Sequence, residues 1–440
     1  MLIQLTKFGG KVPAIHDPAF LPDGKSQAAI DCRFDEYGVT PYLSDTVMQA
    51  AVKAGTVSLY RYYNNYDSNE YFFAWTTDVD AVTAPLPNDA YSRVYYTESG
   101  LFKVTDKDLF KSGGTQYPMQ YRWPCPPAPS TAPVITGTAS GTDPTLLETK
   151  AYVYTYVNGY GDEGPPSYAS NEIDVYDGNS ITITNISAGA LDPLFNVTTV
   201  RIYRLNQTSS GTAIYQYVDE VAFGTTSYVD TILDADLAEE LPSLEWDGAP
   251  TGLAGLISLP NGVLAGFVGN LVCLSVPYYP HAWPASYQQA VDRPIIALGA
   301  FGSTIVVLTE GQPYLLVGND PSNMVMEKMD IGFSCMSKRG VIQAGEMVAY
   351  PSPEGLVVIG PQVREVVTAK IMTRDQWNAL YNPSTISAFY WNGKYVAFYT
   401  SGGVNGGFVY DFKTGDLFDL DFYATAGFYD KTAGILFLQE

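Results

Sequence analysis

The chain has 440 residues, with 46 acidic and 24 basic side chains for a net charge of −22, and 14% of its residues are aromatic, 34 of them tyrosine. That length allows two or three domains with a sizeable core, and the apolar, β-forming content excludes a disordered polyanion. The acidic balance excludes a protein that grips nucleic acid through its phosphates and disfavours docking on an anionic membrane, and no run approaches the roughly 20 apolar residues of a membrane-spanning helix.

The first residues, Met1 to Gly10, do not combine a basic start with a long apolar run, so no secretory signal is expected. Residues 1–118 read as an irregular, Gly- and Pro-punctuated arm followed by strand pairs. The runs 57–63 and 92–97 are rich in β-branched and aromatic residues and bounded by turn formers. Residues 119–250 open with five prolines between 124 and 133, a polyproline II connector. About seven short strands follow over 134–247, among them 152–157, 181–186 and 199–204, which suits a fibronectin-III-like or immunoglobulin-like sandwich.

From 251 to 440 short strands recur in groups of three or four, about every 45–50 residues, the spacing of β-propeller blades. One helix is expected over 373–380, with Thr373 as N-cap, Asp375 in the first turn and Pro383 beyond its end. The last apolar strand, 434–438, would complete a blade begun near the other terminus, which makes the sandwich an insertion. The expected fold is therefore all-β: a β-propeller with an inserted fibronectin-III/immunoglobulin-like β-sandwich.

Little here points to catalysis. His16 and His281 are the only histidines, which argues against a His-rich metal site and weakens a Ser-His-Asp triad. Cys32, Cys125, Cys273 and Cys335 lie far apart, without a CxxC pair, and read as reduced core residues. The acidic run from Asp411 to Asp421 departs from the twelve-residue calcium loop and reads instead as a hairpin turning at 413–415, its alternate aspartates facing water. The run 234–240 reads as a solvated acidic loop. Tyr278–Pro284 reads either as an aromatic ledge for sugars or as a proline-stiffened connection, and the second reading is favoured. No catalytic residue, metal or cofactor is assigned.

The N-terminal arm is the most specific feature. Phe8-Gly9-Gly10 with Pro13, then Ala28-Ala29, Asp31-Cys32-Arg33, Gly38 and Pro41, resembles virion proteins of short-tailed bacteriophages. Leu259-Pro260-Asn261-Gly262, Tyr279-Pro280-His281-Ala282-Trp283-Pro284, Cys335–Gly340 and Tyr350–Leu356 also look like that family. The resemblance implies a tail nozzle or hub subunit, non-enzymatic and part of a homo-hexameric ring below a portal and adaptor. Such a ring carries fibres or spikes, passes DNA without tight binding and resides in the virion after assembly in the host cytoplasm. Phe8, Gly9, Gly10, Lys11 and Val12 of the arm, and Tyr278, Tyr279, His281 and Trp283 of the loop, are the expected subunit or partner contacts. The alternative is a glycan-binding or glycan-cleaving propeller with a sandwich accessory module; a head–fibre adaptor is a third option.

The charge is unevenly spread. Net charges are −4 for residues 1–119, −13 for 120–250 and −5 for 251–440, so the sandwich and its linkers hold most of the excess.

Overall fold

Period-two patterning becomes strand wherever one face can be covered. In Ser58–Tyr62 and in Ile181–Thr184 buried and half-buried side chains alternate, as a pleat with one packed face requires. The computed structural model describes the chain except residues 1–7, 16, 35–37, 43–45, 48–52, 64–68, 115–116, 188 and 208–211. The chain is nearly all β, arranged in many small antiparallel sheets.

Four of these sheets follow one another along the chain, at 254–290, 295–328, 342–366 and 387–420. Each has four antiparallel strands in chain order. Asn392 and Gly393, with φ of 46° and 76°, make a tight hairpin turn between the paired Trp391 and Lys394, because a type I′ turn needs left-handed residues at both centres. A three-stranded sheet at 80–105 precedes the four.

Neighbouring sheets share cores. Tyr95, Phe102 and Val104 pack with Leu256, Leu264 and Trp283; Ala265 and Leu274 with Leu298 and Ile305; Val306 and Leu308 with Val348 and Tyr350; and Leu356 and Val358 with Tyr395 and Phe408. Helix α1 (Arg374–Tyr381) starts where expected, because Thr373 and Gln376 form a reciprocal capping box. It drops Trp377 and Tyr381 into the last of these cores, and Trp377 Nε1–H donates to the Ser352 carbonyl at 2.9 Å. Asn382, left-handed at φ 43°, and Pro383 end it.

The two ends of the β-chain meet. The pair Ser58–Tyr62/Tyr71–Trp75 lies against the pair Ala426–Asp430/Ile435–Gln439. Arg61 is ion-paired with Asp430, Tyr60 is edge-on to Phe428 at 5.0 Å and Phe72 to Phe437 at 5.1 Å. Among the described residues these remain two separate two-stranded ladders.

Among the described residues eight strands run between Val134 and Asp230, where the sequence suggested about seven. One three-stranded sheet orders Tyr152–Asn158, Val197–Gln207 and Ala213–Ala222; another orders Ser227–Asp230, Ile181–Thr184 and Val134–Gly137; a further pair joins Glu148–Lys150 to Ile173–Val175. The two larger sheets share a core in which Tyr152, Tyr154, Tyr156, Val200 and Ile202 meet Ile135, Ile181 and Ile183. Three of the four basic residues of 120–250 are held in ion pairs: Lys150 with Glu148 and Asp234, Arg201 with Glu163 and Glu220, and Arg204 with Asp230 and Asp234.

Candidate functional site

The glycine pair of the arm is built for close backbone approach. A Cβ on Gly10 would lie 2.5 Å from both the amide nitrogen and the carbonyl oxygen of Leu417, so only glycine lets the arm run flush along the outer strand of the 387–420 sheet. Gly10 N–H donates to Asp416 Oδ1 at 2.8 Å, Lys11 N–H to the Leu417 carbonyl at 2.9 Å and Asp31 N–H to the Asp419 carbonyl at 3.0 Å, while Asp419 N–H donates to the Ala29 carbonyl at 2.9 Å. The arm thus covers an edge that would otherwise present unpaired backbone groups.

Two ion pairs fasten it, Lys11 with Asp419 and Lys25 with Asp416. Burial pulls the Lys11 ammonium below its ordinary value, against the attraction of Asp419. Burial alone would push the Asp416 carboxyl up, but the bonds from Lys25 and the Gly10 amide outweigh it and hold it below the usual carboxylate range. Gln376 of α1 adds a bond to the Pro13 carbonyl at 2.8 Å.

These contacts correct two expectations. Gly9, Gly10, Lys11 and Val12 are buried against their own chain, so of the five arm residues only Phe8, 39% exposed, is free to meet a partner. The aspartates of 411–421 do not simply alternate toward water: Asp411 caps the turn through the amides of Lys413 and Thr414, and Asp416 and Asp419 hold the arm. Farther along, Phe20, Ile30, Val39 and Val47 stand exposed on the arm.

The second expected contact, 278–284, is mainly a joint within the chain. Tyr278 and Tyr279 are about half exposed, but His281 and Trp283 are each only 1% exposed. Trp283 Nε1–H donates to the Pro280 carbonyl at 3.0 Å, and its ring meets Phe102 edge-on at 5.4 Å. Tyr279 lies on Trp246 at 4.4 Å. His281 Nε2 is 3.1 Å from the Glu163 carbonyl. Arg93 ties the joint from the 80–105 side, reaching Asp89 and Asp162 at 3.1 Å each, and Tyr160 O–H donates to Asp106 at 2.5 Å.

A third polar group collects where unpaired edges of successive sheets converge. A cavity of about 140 Å³ is lined by Asp80, Gly255, Leu298, Lys338 and Gln343 among others. Lys338 Nζ reaches Asp80 at 2.6 Å and Asp78 at 2.9 Å, and Asp80 also accepts the Gly255 N–H at 2.8 Å. Burial would lower the Lys338 ammonium, yet the two aspartates raise it above its ordinary value. The bridge joins the entry to the 80–105 sheet with the entry to the 342–366 sheet, three sheets further along the chain apart from those of 134–230. Replacing Lys338 with Met is expected to cost about 1–3 kcal/mol, the range for a charged hydrogen bond removed from a half-buried acid; urea unfolding of K338M beside K338R measures it, with K338R close to the parent.

The 140 Å³ space is smaller than the roughly 300–1,000 Å³ of small-molecule pockets. A shallower groove of about 360 Å³ is lined by Ala344, Glu346, Met347, Pro361, Gln362 and Val363, without an aromatic ledge for a sugar. Among the described residues no group of three or more His, Cys, Asp or Glu is placed to hold a metal ion. Burial pushes the Cys273 thiol up to about 11 and Cys335 to about 12, far from nucleophilic readiness.

Sequence reasoning found the arm and the loop but not their partners. Asp416 and Asp419 lay in a run noticed for its acidity, and nothing local tied them to lysines about 400 residues away. Asp78 and Asp80 carried no signal, and Lys338 stood out only as part of the Cys335–Gly340 stretch, with nothing to pair it with them.

No family model and no curated protein matches the chain. Among solved structures it is similar to AztD of Citrobacter koseri, with 12% identity over 67% of this chain and 76% of that one and a TM-score of 0.31. Hsv2 of Kluyveromyces marxianus matches 54% of this chain and 60% of its own at 11% identity and a TM-score of 0.27. The dihydro-heme d1 dehydrogenase NirN matches 64% and 55% at 10% identity and a TM-score of 0.27. Likenesses this weak carry no functional argument.

Proposed function

We propose that this chain is a non-enzymatic structural subunit of a phage tail nozzle or hub. In this reading the successive sheets and the joined terminal pairs are the blades of a β-propeller, and the 134–230 sheets are the inserted fibronectin-III/immunoglobulin-like sandwich. Copies associate into a homo-hexameric ring of the virion, assembled in the host cytoplasm, below a portal and adaptor and bearing fibres or spikes.

The observation that carries the reading is the arm. It is pinned to the 387–420 sheet by backbone bonds and two ion pairs, yet it exposes Phe20 at 75%, Ile30 at 58%, Val39 at 50% and Val47 at 87%. Large apolar side chains exposed beside a segment bonded to its own sheet are what a subunit contact requires. Two further features support a conduit. The Lys338 bridge to Asp78 and Asp80 crosses the place where the sheets converge, so DNA would pass between subunits and not through each one. With Lys150, Arg201 and Arg204 engaged internally, the sandwich offers phosphates little to hold, which suits transit without tight binding.

Light scattering combined with negative-stain imaging tests the reading. The expected result is a particle of six subunit masses with a central opening. A stable monomer retained on a polysaccharide column, with no ring in the presence of an adaptor, would point to the glycan-binding alternative.

A further inference from the structure

We propose that the outer strand Val325–Lys328 of the 295–328 sheet receives the N-terminal arm of a second copy of this chain, so that subunits join head to tail. The contact rests on the assembly reading and names the two surfaces that assembly would use.

The outer strands of the four four-stranded sheets are not alike. Leu417–Leu420 is covered by the chain's own arm. Gln289–Ala290 and Arg364–Val366 are short and carry no exposed large apolar side chain. Val325–Lys328 has no strand on its far side among the described residues, and Val325 is 67% exposed. Val325 pairs with Val317, itself 43% exposed, and residues directly opposite in an antiparallel pair share a face. An open edge that carries an apolar pair is a template for association unless something covers it.

The arm supplies the complement, because Phe20 and Ile30 stand exposed on a segment held to the 387–420 sheet. A ring of more than two copies built on one contact needs unlike patches on each subunit. Like patches joined to each other stop at a pair. The arm and the Val317/Val325 edge lie on different sheets and give each subunit one face of each kind.

Their spacing suits six copies. Shared cores link the sheets in a cycle. Besides the cores between successive sheets from 80 to 420, Val396 and Phe398 pack with Leu436 and Leu438, and Tyr60 and Phe73 with Val94 and Tyr96. The 80–105 sheet, the four four-stranded sheets and the joined terminal pairs make six sectors, about 60° apart as propeller blades. The 295–328 and 387–420 sheets are two sectors apart, about 120°. In a flat ring of six, with each propeller axis parallel to the ring axis, a subunit also meets its two neighbours about 120° apart. The 342–366 sheet between them then faces the opening.

Light scattering on variants of the intact chain tests the contact. The parent should give six subunit masses. Val325→Asp, which blocks the edge, and Phe20→Ser/Ile30→Ser, which blunts the arm, should each fall to one subunit mass. Their equimolar mixture should give two subunit masses, because the intact arm of the first variant fits the intact edge of the second and no further contact can form. Such a pair also shows that both variants are folded. A monomeric parent would end the assembly reading itself, and this contact with it. A parent ring whose mass Val325→Asp leaves unchanged would overturn the contact alone, as would a mixture that stays at one subunit mass.

Discussion

Replacing Gly10 with valine is expected to lift the N-terminal arm off the 387–420 sheet and, under the proposed function, to abolish ring assembly with it. The new Cβ would sit 2.5 Å from two backbone atoms of Leu417. Backbone within a ladder cannot step aside as a flexible side-chain tip can, so the arm must move. Its displacement forfeits the amide bonds of Gly10 and Lys11 and strands Asp416 and Asp419, each of which now holds a lysine. Limited proteolysis should show new cleavage near the arm, and light scattering should show the proposed ring falling to a single subunit mass. A ring of unchanged mass with a cleavable arm would mean that the subunit contact lies elsewhere.

Acid should reach the same end by a different route. Because the Asp416 carboxyl is held below its ordinary value, the stabilisation it provides is complete above about pH 3.9 and disappears as the pH falls through the lowered folded value. Asp416→Asn should therefore release the arm at neutral pH and remove that part of the acid dependence, measured as arm proteolysis against pH.

The largest loss of stability is expected from Arg204→Met. Arg204 and Asp230 are 3% and 0% exposed, and Arg204 reaches Asp230 at 2.7 Å, Asp234 at 2.8 Å and the Ile232 carbonyl at 2.9 Å. Removing the guanidinium leaves the Asp230 carboxylate buried with the Tyr152 hydroxyl at 2.6 Å as its remaining side-chain donor. Breaking a buried pair from one side costs about 3–5 kcal/mol, because the surviving charge stays desolvated. That is a large part of the 5–15 kcal/mol typical of a whole domain, so the 134–230 sheets should unfold first in urea. The double variant Arg204→Met/Asp230→Leu should recover most of the loss, since it removes the stranded charge as well; a double variant no more stable than R204M would place the cost in packing instead.

Local signals proved readable because they are local. The strand runs 57–63, 152–157 and 199–204 all reappear as ladders, and the helix starts at the Thr373 cap and stops before Pro383. Each of these features is decided within a few residues by pleat periodicity, capping geometry or the fixed proline φ. The turn at 413–415 was equally legible, whereas the use made of the aspartates around it was not.

His281 shows the same divide at a single residue. Its place among Tyr279, Pro280 and Trp283 marked the loop as unusual, but only folding brings Asp162, Glu163 and Arg93 around the ring. Its exposure, and hence its exclusion as a partner contact, follows from how the sheets pack.

The amino-acid sequence by itself determined an all-β chain with a proline-rich connector, one capped helix and an acid excess concentrated in 120–250, because composition and short-range pattern suffice for each. The tertiary structure alone decided that Lys11 meets Asp419, Lys25 meets Asp416, Arg61 meets Asp430 and Lys338 meets Asp80. An ion pair depends on distance in space, and with 46 acids available to 24 bases, nothing in the sequence distinguishes the acid a given lysine or arginine will reach.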